Sequence, residues 1–341
     1  MKKLYGIQYL RAAAALGVVV FHAAERSGSH FVIGAAGVDV FFVISGFIMW
    51  VISQKREMTP LGFFGDRLKR IVPIYWMATA AMCIGALAGI FPNLTLTVAH
   101  VVDSFLFIPH RSPNGGHIWP VLVQGWTLNY EMFFYAVFAC VLFLPSGRRL
   151  AALAVIFLLL AGGGWLLDSR NQLLATYTNP LILEFLLGAL IGRLWLAGRM
   201  PSAKTGAALV VFSLCGFAFV GVTLKGFSPF FLGPLAGLLV VGTLALEDAD
   251  RVVRSRLLSY IGDGSYSIYL WHTFAISVVA KAAGFLHFPA ALTLVLSVCA
   301  GLLIGLLLYE LVEKDLARRL RALLRGDRPA EAVELPDPPR S

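Results

Sequence analysis

A chain of 341 residues that is 58% hydrophobic and only 14% charged has too little polar surface for a soluble globular protein. An average soluble domain is about 45–50% apolar and about 25% charged. The formal net charge of +9 would suit a nucleic-acid partner, but in so apolar a chain the basic residues are better explained as markers of cytoplasmic loops. We therefore expect a lipid-embedded protein that binds no nucleic acid.

Apolar stretches of about 20 residues, the length that crosses a bilayer, recur along the sequence. No small-residue cleavage site follows the first of them, so it is expected to remain as a helix and not to be removed as a signal peptide. The predicted fold class is all-α, a polytopic integral membrane bundle of about ten transmembrane helices. The predicted spans are 7–25, 32–54, 71–92, 120–145, 149–167, 180–198, 205–224, 228–246, 264–284 and 290–312.

Two parts of the chain are not expected to cross. Segment 93–119 is too polar, although its short apolar piece Thr97–Pro109 is expected to lie at the interface or to re-enter. Residues 1–312 are predicted to form the transmembrane domain and 313–341 a cytoplasmic tail. This tail begins with leucines on one face among arginines, a pattern typical of an amphipathic surface helix. It ends in a proline-rich acidic stretch that we expect to be disordered.

Lysine and arginine are distributed very unevenly between the two sides of these spans. With the N-terminus inside, 22 of the 28 basic residues fall in cytoplasmic segments and 5 in external ones, with Arg11 inside the first span. This positive-inside bias predicts that both termini are cytoplasmic, which requires an even number of helices.

Small and sulfur-containing residues within the spans indicate packing and not chemistry. The four cysteines form no CxxC pair, so neither a disulfide framework nor a metal site is predicted. Pairs of glycines four residues apart are expected to pack helices closely inside one bundle. These pairs are Gly85/Gly89, Gly188/Gly192, Gly233/Gly237 and Gly301/Gly305.

Ionisable residues inside the spans are few, and such residues are costly and tend to be functional. Arg11 and His22 are eleven residues apart, close to three helical turns, so they share one helix face about 16 Å apart. His22 near the outer end is a candidate general base, and Arg11 near the inner end a candidate anion-binding group. The alternatives are an interfacial structural histidine and an arginine that extends to the headgroups.

Other polar residues leave two interpretations open. Asp39 lies at a depth similar to that of His22, so it either orients the imidazole or is a buried carboxylate bound to helix ends. The basic stretch from Phe63 to Arg70 is either a topology determinant or a phosphate clamp, because guanidinium groups match phosphate oxygens.

Six motifs in chain order resemble those of the acyltransferase 3 family, and together they extend from residue 7 to residue 313. Arg11, ten residues and His22 resemble the family's first motif, and Gln8 stands where many members have aspartate. The chain reads Glu313-Lys-Asp315 where many members have Glu-x-Pro, which leaves a role for Glu313 open. The other motifs are Gly37–Phe47, Arg67-Leu-Lys-Arg70-Ile-Val-Pro73-Ile-Tyr75, Trp126–Tyr135 with Glu131, Glu184–Gly188, and Gly262–His272. The first two are most similar to the branch that modifies exopolysaccharides and nodulation factors.

The resemblance implies ten helices and transfer of an acyl group, usually acetyl from acetyl-CoA, to a carbohydrate hydroxyl of the envelope. The catalytic residues it implies are His22, Arg11, Asp39 and Glu131, and the donor-binding residues are Arg11, Arg67, Arg70 and Tyr75, with no metal. For Glu131 the alternative is a polar packing contact, and for Tyr266, Tyr269 and His272 a structural role is favoured.

The implied location is the bacterial plasma (inner) membrane. The expected partners are the acyl-CoA donor, the glycan acceptor and the lipid bilayer, with polysaccharide-assembly proteins as a further option. The competing hypothesis is an exporter of a lipid-linked sugar or acylated compound, which many spans and buried charges also suit. The absence of an internal repeat at a fixed period speaks against that hypothesis.

Overall fold

The computed structural model describes residues 3–55, 57–166, 170–223, 229–316 and 318. This part of the chain is helical and holds no strand, which confirms the all-α fold class. A 3-10 turn (Val32–Ala36) precedes α2, and a π-helical turn (Tyr309–Glu313) follows α13. The helices are α1 (Tyr5–Ser27), α2 (Gly37–Lys55), α3 (Pro60–Leu87), α4 (Val98–Phe105), α5 (Gly125–Val141), α6 (Ser146–Leu166), α7 (Gln172–Tyr177), α8 (Ile182–Leu196), α9 (Ala203–Thr223), α10 (Pro229–Asp248), α11 (Arg256–Asp263), α12 (Ser265–Leu286) and α13 (Ala290–Leu308).

Nine helical segments within the described ranges are long and apolar enough to cross a membrane, and each overlaps one predicted span. The remaining predicted span, 120–145, contains α5. Its 17 residues stand at the lower end of the range of about 17–25 residues that crosses a bilayer. A total of ten crossings, and with it a cytoplasmic location for both termini, stays a prediction. The predicted amphipathic helix lies mostly outside the described residues, and the predicted disordered end lies wholly outside them.

Helix α3 begins eleven residues before the predicted span at 71. Thr59 caps it, since its Oγ1 accepts a hydrogen bond from the amide of Gly62 at 3.1 Å. Pro60 occupies the first helical position, where a missing N–H costs nothing. The basic stretch Phe63–Arg70, which lies before the predicted span, is therefore the first part of a helix. Its side chains are held at fixed positions around that helix.

The polar segment between α3 and α5 folds back over the end of α3, and α4 has only eight residues. The hydroxyl of Tyr75 donates to the main-chain oxygen of Ser104 at 3.0 Å, and the indole of Trp76 donates to that of Phe105 at 2.8 Å. The hydroxyl of Ser104 in turn accepts from the amide of Val121 at 2.9 Å. These bonds fix α4 between α3 and the approach to α5.

Two histidines stabilise this folded-back segment. Nδ1 of His110 donates to the main-chain oxygen of Ile108 at 2.7 Å, so Nε2 of His110 accepts from Nδ1 of the buried His100, also at 2.7 Å. Burial, and then the nearby imidazole of His110, lower the pKa of His100.

We expect the protein to lose stability as the pH falls below about 6.5, the ordinary pKa of histidine. The unfolded chain takes up a proton there while folded His100 does not, until the pH reaches its lowered folded value. The measurement is thermal unfolding of detergent-purified protein against pH. A His100→Gln variant, which cannot titrate, should show a shallower slope between pH 7 and 5. Equal slopes in wild type and His100→Gln would show that His100 does not cause the pH dependence of stability.

Close contact between α2 and α8 forms the centre of the bundle. A side chain at Gly46 would collide with the main chain of Phe185, and one at Gly188 with the carbonyl of Val43. Three of the four glycine pairs lie at such helix contacts, which confirms their packing role. The exception is Gly85/Gly89, where Gly89 follows the end of α3 with φ of 72° and an added side-chain carbon would meet nothing within 4 Å.

The Gly188→Ala variant should lower the free energy of unfolding by about 1–3 kcal/mol, the usual effect of overpacking, because the obstructing atoms belong to the main chain. Reversible unfolding in mixed micelles measures it. Gly162→Ala in α6 is the matched control, since nothing lies within 4 Å of its added carbon. The control should be neutral or slightly stabilising. A Gly188→Ala variant as stable as that control would contradict the packing described here.

Candidate functional site

The first candidate site is a cavity of about 100 Å³ between α1, α2, α3, α5 and α12, called here the arginine cavity. Arg11 and Arg70 line it, and the exposed side chain of Arg70 stands at its accessible side. One guanidinium nitrogen of Arg11 donates to Oγ of Ser265 at 2.9 Å, and another to Oε1 of Gln8 at 3.3 Å. The glutamine found in place of the family's usual aspartate thus contacts the arginine without neutralising it.

Two carboxylates lie near these arginines, yet neither forms an ion pair with them within the described ranges. Glu131 lines the cavity and accepts from the hydroxyl of Tyr135 at 3.4 Å. Glu313 accepts from the hydroxyl of Ser267 at 2.5 Å. Both carboxylates interact electrostatically with Arg11 over a longer range. The cavity therefore keeps two guanidinium groups available for an anion, in a site where water is partly excluded.

The second candidate site is a cavity of about 680 Å³ at the other end of α1, called here the histidine cavity. His22 lines it together with Glu25, Arg26 and Trp119. Oε2 of Glu25 accepts a hydrogen bond from Nδ1 of His22 at 3.1 Å, which leaves the lone pair of Nε2 free. An imidazole whose far nitrogen is held by a carboxylate is the arrangement of a general base.

A wall of hydrogen-bonded side chains separates the two cavities. The hydroxyl of Tyr269 lies 3.0 Å from Oγ1 of Thr127, and it donates to the main-chain oxygen of Gln124 at 3.3 Å. Thr127 and Tyr269 line the arginine cavity, whereas Gln124 lines the histidine cavity.

His272 stands next to this wall and against His22, with ring centroids 5.3 Å apart. Its Nδ1 donates to the main-chain oxygen of Ile268 at 2.9 Å, and its buried Nε2 has no hydrogen-bond partner in the described chain.

The structure brings Arg11, Arg70 and Glu131 together at the arginine cavity and places His22 at the other cavity, but Asp39 is at neither. Asp39 is fully buried in the first turn of α2, and its electrostatic partner is Glu184 of α8. Its carboxylate therefore does not reach His22. Of the two interpretations of Asp39, its position favours the buried carboxylate.

Arg67 and Tyr75 also lie outside both cavities. Arg67 extends over the ring of Phe63 at 6.0 Å, with its Nε buried and without a hydrogen-bond partner in the described chain. Tyr75 is completely buried and holds α4 through its hydroxyl. Arg67 thus packs along its own helix and Tyr75 joins α3 to α4, whereas Arg70 alone of the basic stretch Phe63–Arg70 lines the arginine cavity.

Sequence reasoning did not identify Glu25, although a signal was present. Residues three apart on a helix are neighbours, so Glu25 was the acidic group with the most direct route to His22. Ser265, which holds Arg11, comes from α12, about 250 positions away in the chain, and no local pattern points to it.

Comparison with known proteins agrees with the architecture. A family model described as an acyltransferase domain matches residues 4–310. The exopolysaccharide production protein ExoZ of Rhizobium meliloti (strain 1021) is 55% identical over 304 residues, which cover 89% of this chain and 96% of that protein. A putative membrane-bound transacylase, BcsY of Komagataeibacter xylinus, is 30% identical over 90% of this chain and 81% of its own length.

More distant relatives and solved structures complete the comparison. A putative O-acetyltransferase of Staphylococcus aureus (strain COL) is 24% identical over 82% of this chain and 52% of that protein. No solved structure matches. The family predicted from the six motifs is confirmed: the chain belongs to the acyltransferase 3 family and is a membrane O-acyltransferase.

Proposed function

We propose that the protein transfers an acetyl group from acetyl-CoA to a hydroxyl of an exopolysaccharide at the bacterial plasma membrane. One observation carries the proposal: α1 presents Arg11 to one cavity and the His22–Glu25 pair to another, and a wall lies between them. The 55% identical relative is named for exopolysaccharide production, which supports an exopolysaccharide as the acceptor. The same family assignment leaves the exporter hypothesis without support.

The basic distribution along the sequence supports the sidedness of this reaction. With both termini cytoplasmic, Arg11 and Arg70 face the compartment that contains acetyl-CoA, a polyanion, and His22 faces outward. Guanidinium groups bind phosphates through paired hydrogen bonds, so the two arginines are suited to the nucleotide part of the donor. The flexible arm of the donor then carries the thioester past Tyr269 and Thr127 to Nε2 of His22, so these two side chains move aside during transfer and close the wall afterwards.

His22 performs the proton transfers. Its Nε2 removes the proton from the acceptor hydroxyl as that oxygen attacks the thioester carbonyl, while Glu25 holds Nδ1–H and stabilises the imidazolium. The carbon–sulfur bond then breaks, and the thiolate of coenzyme A takes up the proton from His22. The products are the O-acetylated sugar and free coenzyme A, so atoms and charge balance.

The test is transfer of isotope-labelled acetyl groups by the full chain reconstituted in lipid vesicles. Labelled acetyl-CoA and deacetylated exopolysaccharide are supplied, and vesicles without the protein serve as the control. We expect label in the polysaccharide, released by mild alkali as an ester is, only when the protein is present. If protein verified in the vesicles transfers no label, acetyl-CoA or exopolysaccharide is the wrong substrate.

A further inference from the structure

Much of the lining of the histidine cavity comes from the segment between α3 and α5. That segment contributes Phe91, Pro92, Asn93 and Trp119, and α1 contributes Glu25 and Arg26. The cavity volume of about 680 Å³ lies within the range of about 300–1,000 Å³ that is usual for sites of small organic ligands. The histidine cavity is therefore large enough for more than the single hydroxyl that His22 deprotonates.

Trp119 presents an aromatic surface to this cavity. Its side chain is 38% exposed, and its ring stacks on the imidazole of His117 with centroids 4.3 Å apart and planes inclined by 20°. The imidazole covers one face of the indole, which leaves the other face for a ligand. Exposure of so large an aromatic surface beside a catalytic group requires an explanation, because aromatic rings normally contribute their binding energy through burial.

The loop that carries Trp119 is fixed in position. Asn114 bridges it to the loop after α3, since its Oδ1 accepts from the amide of Thr95 at 3.0 Å and its Nδ2 donates to the main-chain oxygen of Asn93. Positive φ angles at Gly115 and Gly116, 86° and 72°, make the turn that brings His117 under the indole. Because the loop holds the Trp119 ring in place, little conformational entropy is lost when a ligand binds to that ring.

The lining around Trp119 is mixed: apolar side chains such as Met82, Ile90 and Val121 form the larger part of it, and polar groups lie between them. Asn93 and Gln124 offer amide groups that both donate and accept, Glu25 offers a carboxylate and Arg26 a cation. A hydrocarbon chain would leave these groups unsatisfied. A pyranose ring matches them, because its axial C–H face is apolar and suits an indole while its equatorial hydroxyls form hydrogen bonds around the rim.

We propose that the histidine cavity binds one sugar unit of the glycan acceptor, with Trp119 as the stacking surface that places a hydroxyl at Nε2 of His22. The proposal rests on the acyl transfer proposed above and adds the position and the determinant of acceptor binding. Trp119 contacts the acceptor and not the donor, whose anionic part belongs to the arginine cavity on the other side of the wall. Changes at Trp119 should therefore act on acceptor use alone.

The experiment compares Trp119→Ala, Trp119→Phe and Trp165→Ala in vesicles, with deacetylated oligosaccharides of the exopolysaccharide as the varied substrate. Trp165 is the matched control, an 86% exposed tryptophan of α6 that does not line the cavity. We expect Trp119→Ala to raise the acceptor KM about tenfold, as loss of one aromatic contact implies. The donor KM should not change. Trp119→Phe should recover most of the affinity, and Trp165→Ala should behave as the wild type.

Two outcomes would overturn the subsite: an acceptor KM unchanged in Trp119→Ala, or equal losses in the Ala and Phe variants. Saturation-transfer NMR measures binding of the same oligosaccharides in the absence of acetyl-CoA. It therefore distinguishes a failure of the acceptor subsite from a failure of the proposed reaction. If oligosaccharide binding depends on Trp119 but the wild type transfers no acetyl group, the subsite is supported and the proposed reaction is rejected. If transfer is normal and the Trp119 variants bind the oligosaccharides as the wild type does, only the subsite is rejected.

Discussion

Replacing His22 with alanine is expected to reduce acetyl transfer by about 10²–10⁴-fold, the usual contribution of a general base, while the protein remains in the membrane. The Nε2 lone pair of His22 is free because Glu25 holds the opposite nitrogen, and no other imidazole lines the histidine cavity in the described chain. The measurement is the initial rate of label transfer at saturating concentrations of both substrates, so that it reports kcat.

Two variants make this result specific. His30→Ala removes an exposed histidine that lines neither cavity and should leave the rate unchanged. Glu25→Gln keeps a hydrogen-bond acceptor for Nδ1 but cannot stabilise the imidazolium charge, so its kcat should lie between those of wild type and His22→Ala. A His22→Ala variant with a rate near that of wild type would exclude His22 as the base.

Replacing Arg70 with alanine should raise the KM for acetyl-CoA about tenfold with little change in kcat. Hydrogen bonds to charged groups contribute about 1.5–3 kcal/mol, and the exposure of Arg70 places its contribution at the lower end. Arg70 is free to bind a ligand, because it forms no ion pair within the described ranges. The measurement is the initial rate against acetyl-CoA concentration at a fixed acceptor concentration.

Lys69 provides the matched control for Arg70. It is the adjacent cation on the same helix, but it faces the outside of α3 and lines a different, apolar surface cavity with Trp76 and Phe105. Lys69→Ala removes the same charge at the same depth and should leave the donor KM unchanged. Equal effects of the two substitutions would mean that the arginine acts through general attraction and not through contact with the donor.

The helix content and the shared face of Arg11 and His22 were predictable, because both follow from local periodicity. Spans follow from runs of apolar residues, and a separation of eleven residues returns a helix to the same side. The start of α3 was also readable, since Thr59 and Pro60 form an ordinary helix beginning. The long apolar run after residue 71 concealed it.

The position of Asp39 could not be predicted, because depth in a membrane says nothing about rotation around a helix axis. Gly37 turns toward α1, where a side chain would collide with the carbonyl of Ala14. Residues two positions apart differ by about 200° around the helix axis, so they lie on nearly opposite faces. Asp39 therefore faces away from α1 and His22, toward α8. The close contact that sets this rotation joins residues of two different helices, so no pattern within α2 shows it.

Tyr75 illustrates a second limit. Its place in a motif with Arg67 and Arg70 suggested a shared role, but residues five or eight positions apart on a helix need not reach the same cavity when one of them meets a folded-back segment. Tyr75 is enclosed by α4 and the ring of Phe107, 4.7 Å away. The fold of the segment between α3 and α5 buries Tyr75, and no periodicity in the sequence of that segment predicts this fold.

The wall at Tyr269, Thr127 and Gln124 has a consequence for the energy supply of the cell. In the orientation proposed above, the two cavities face opposite sides of a membrane that maintains a proton gradient. A continuous file of water between them would conduct protons and dissipate that gradient. The tyrosine hydroxyl, bound to a threonine and to a main-chain carbonyl, interrupts the file, so an acyl group can be exchanged across the membrane while its electrical insulation is preserved.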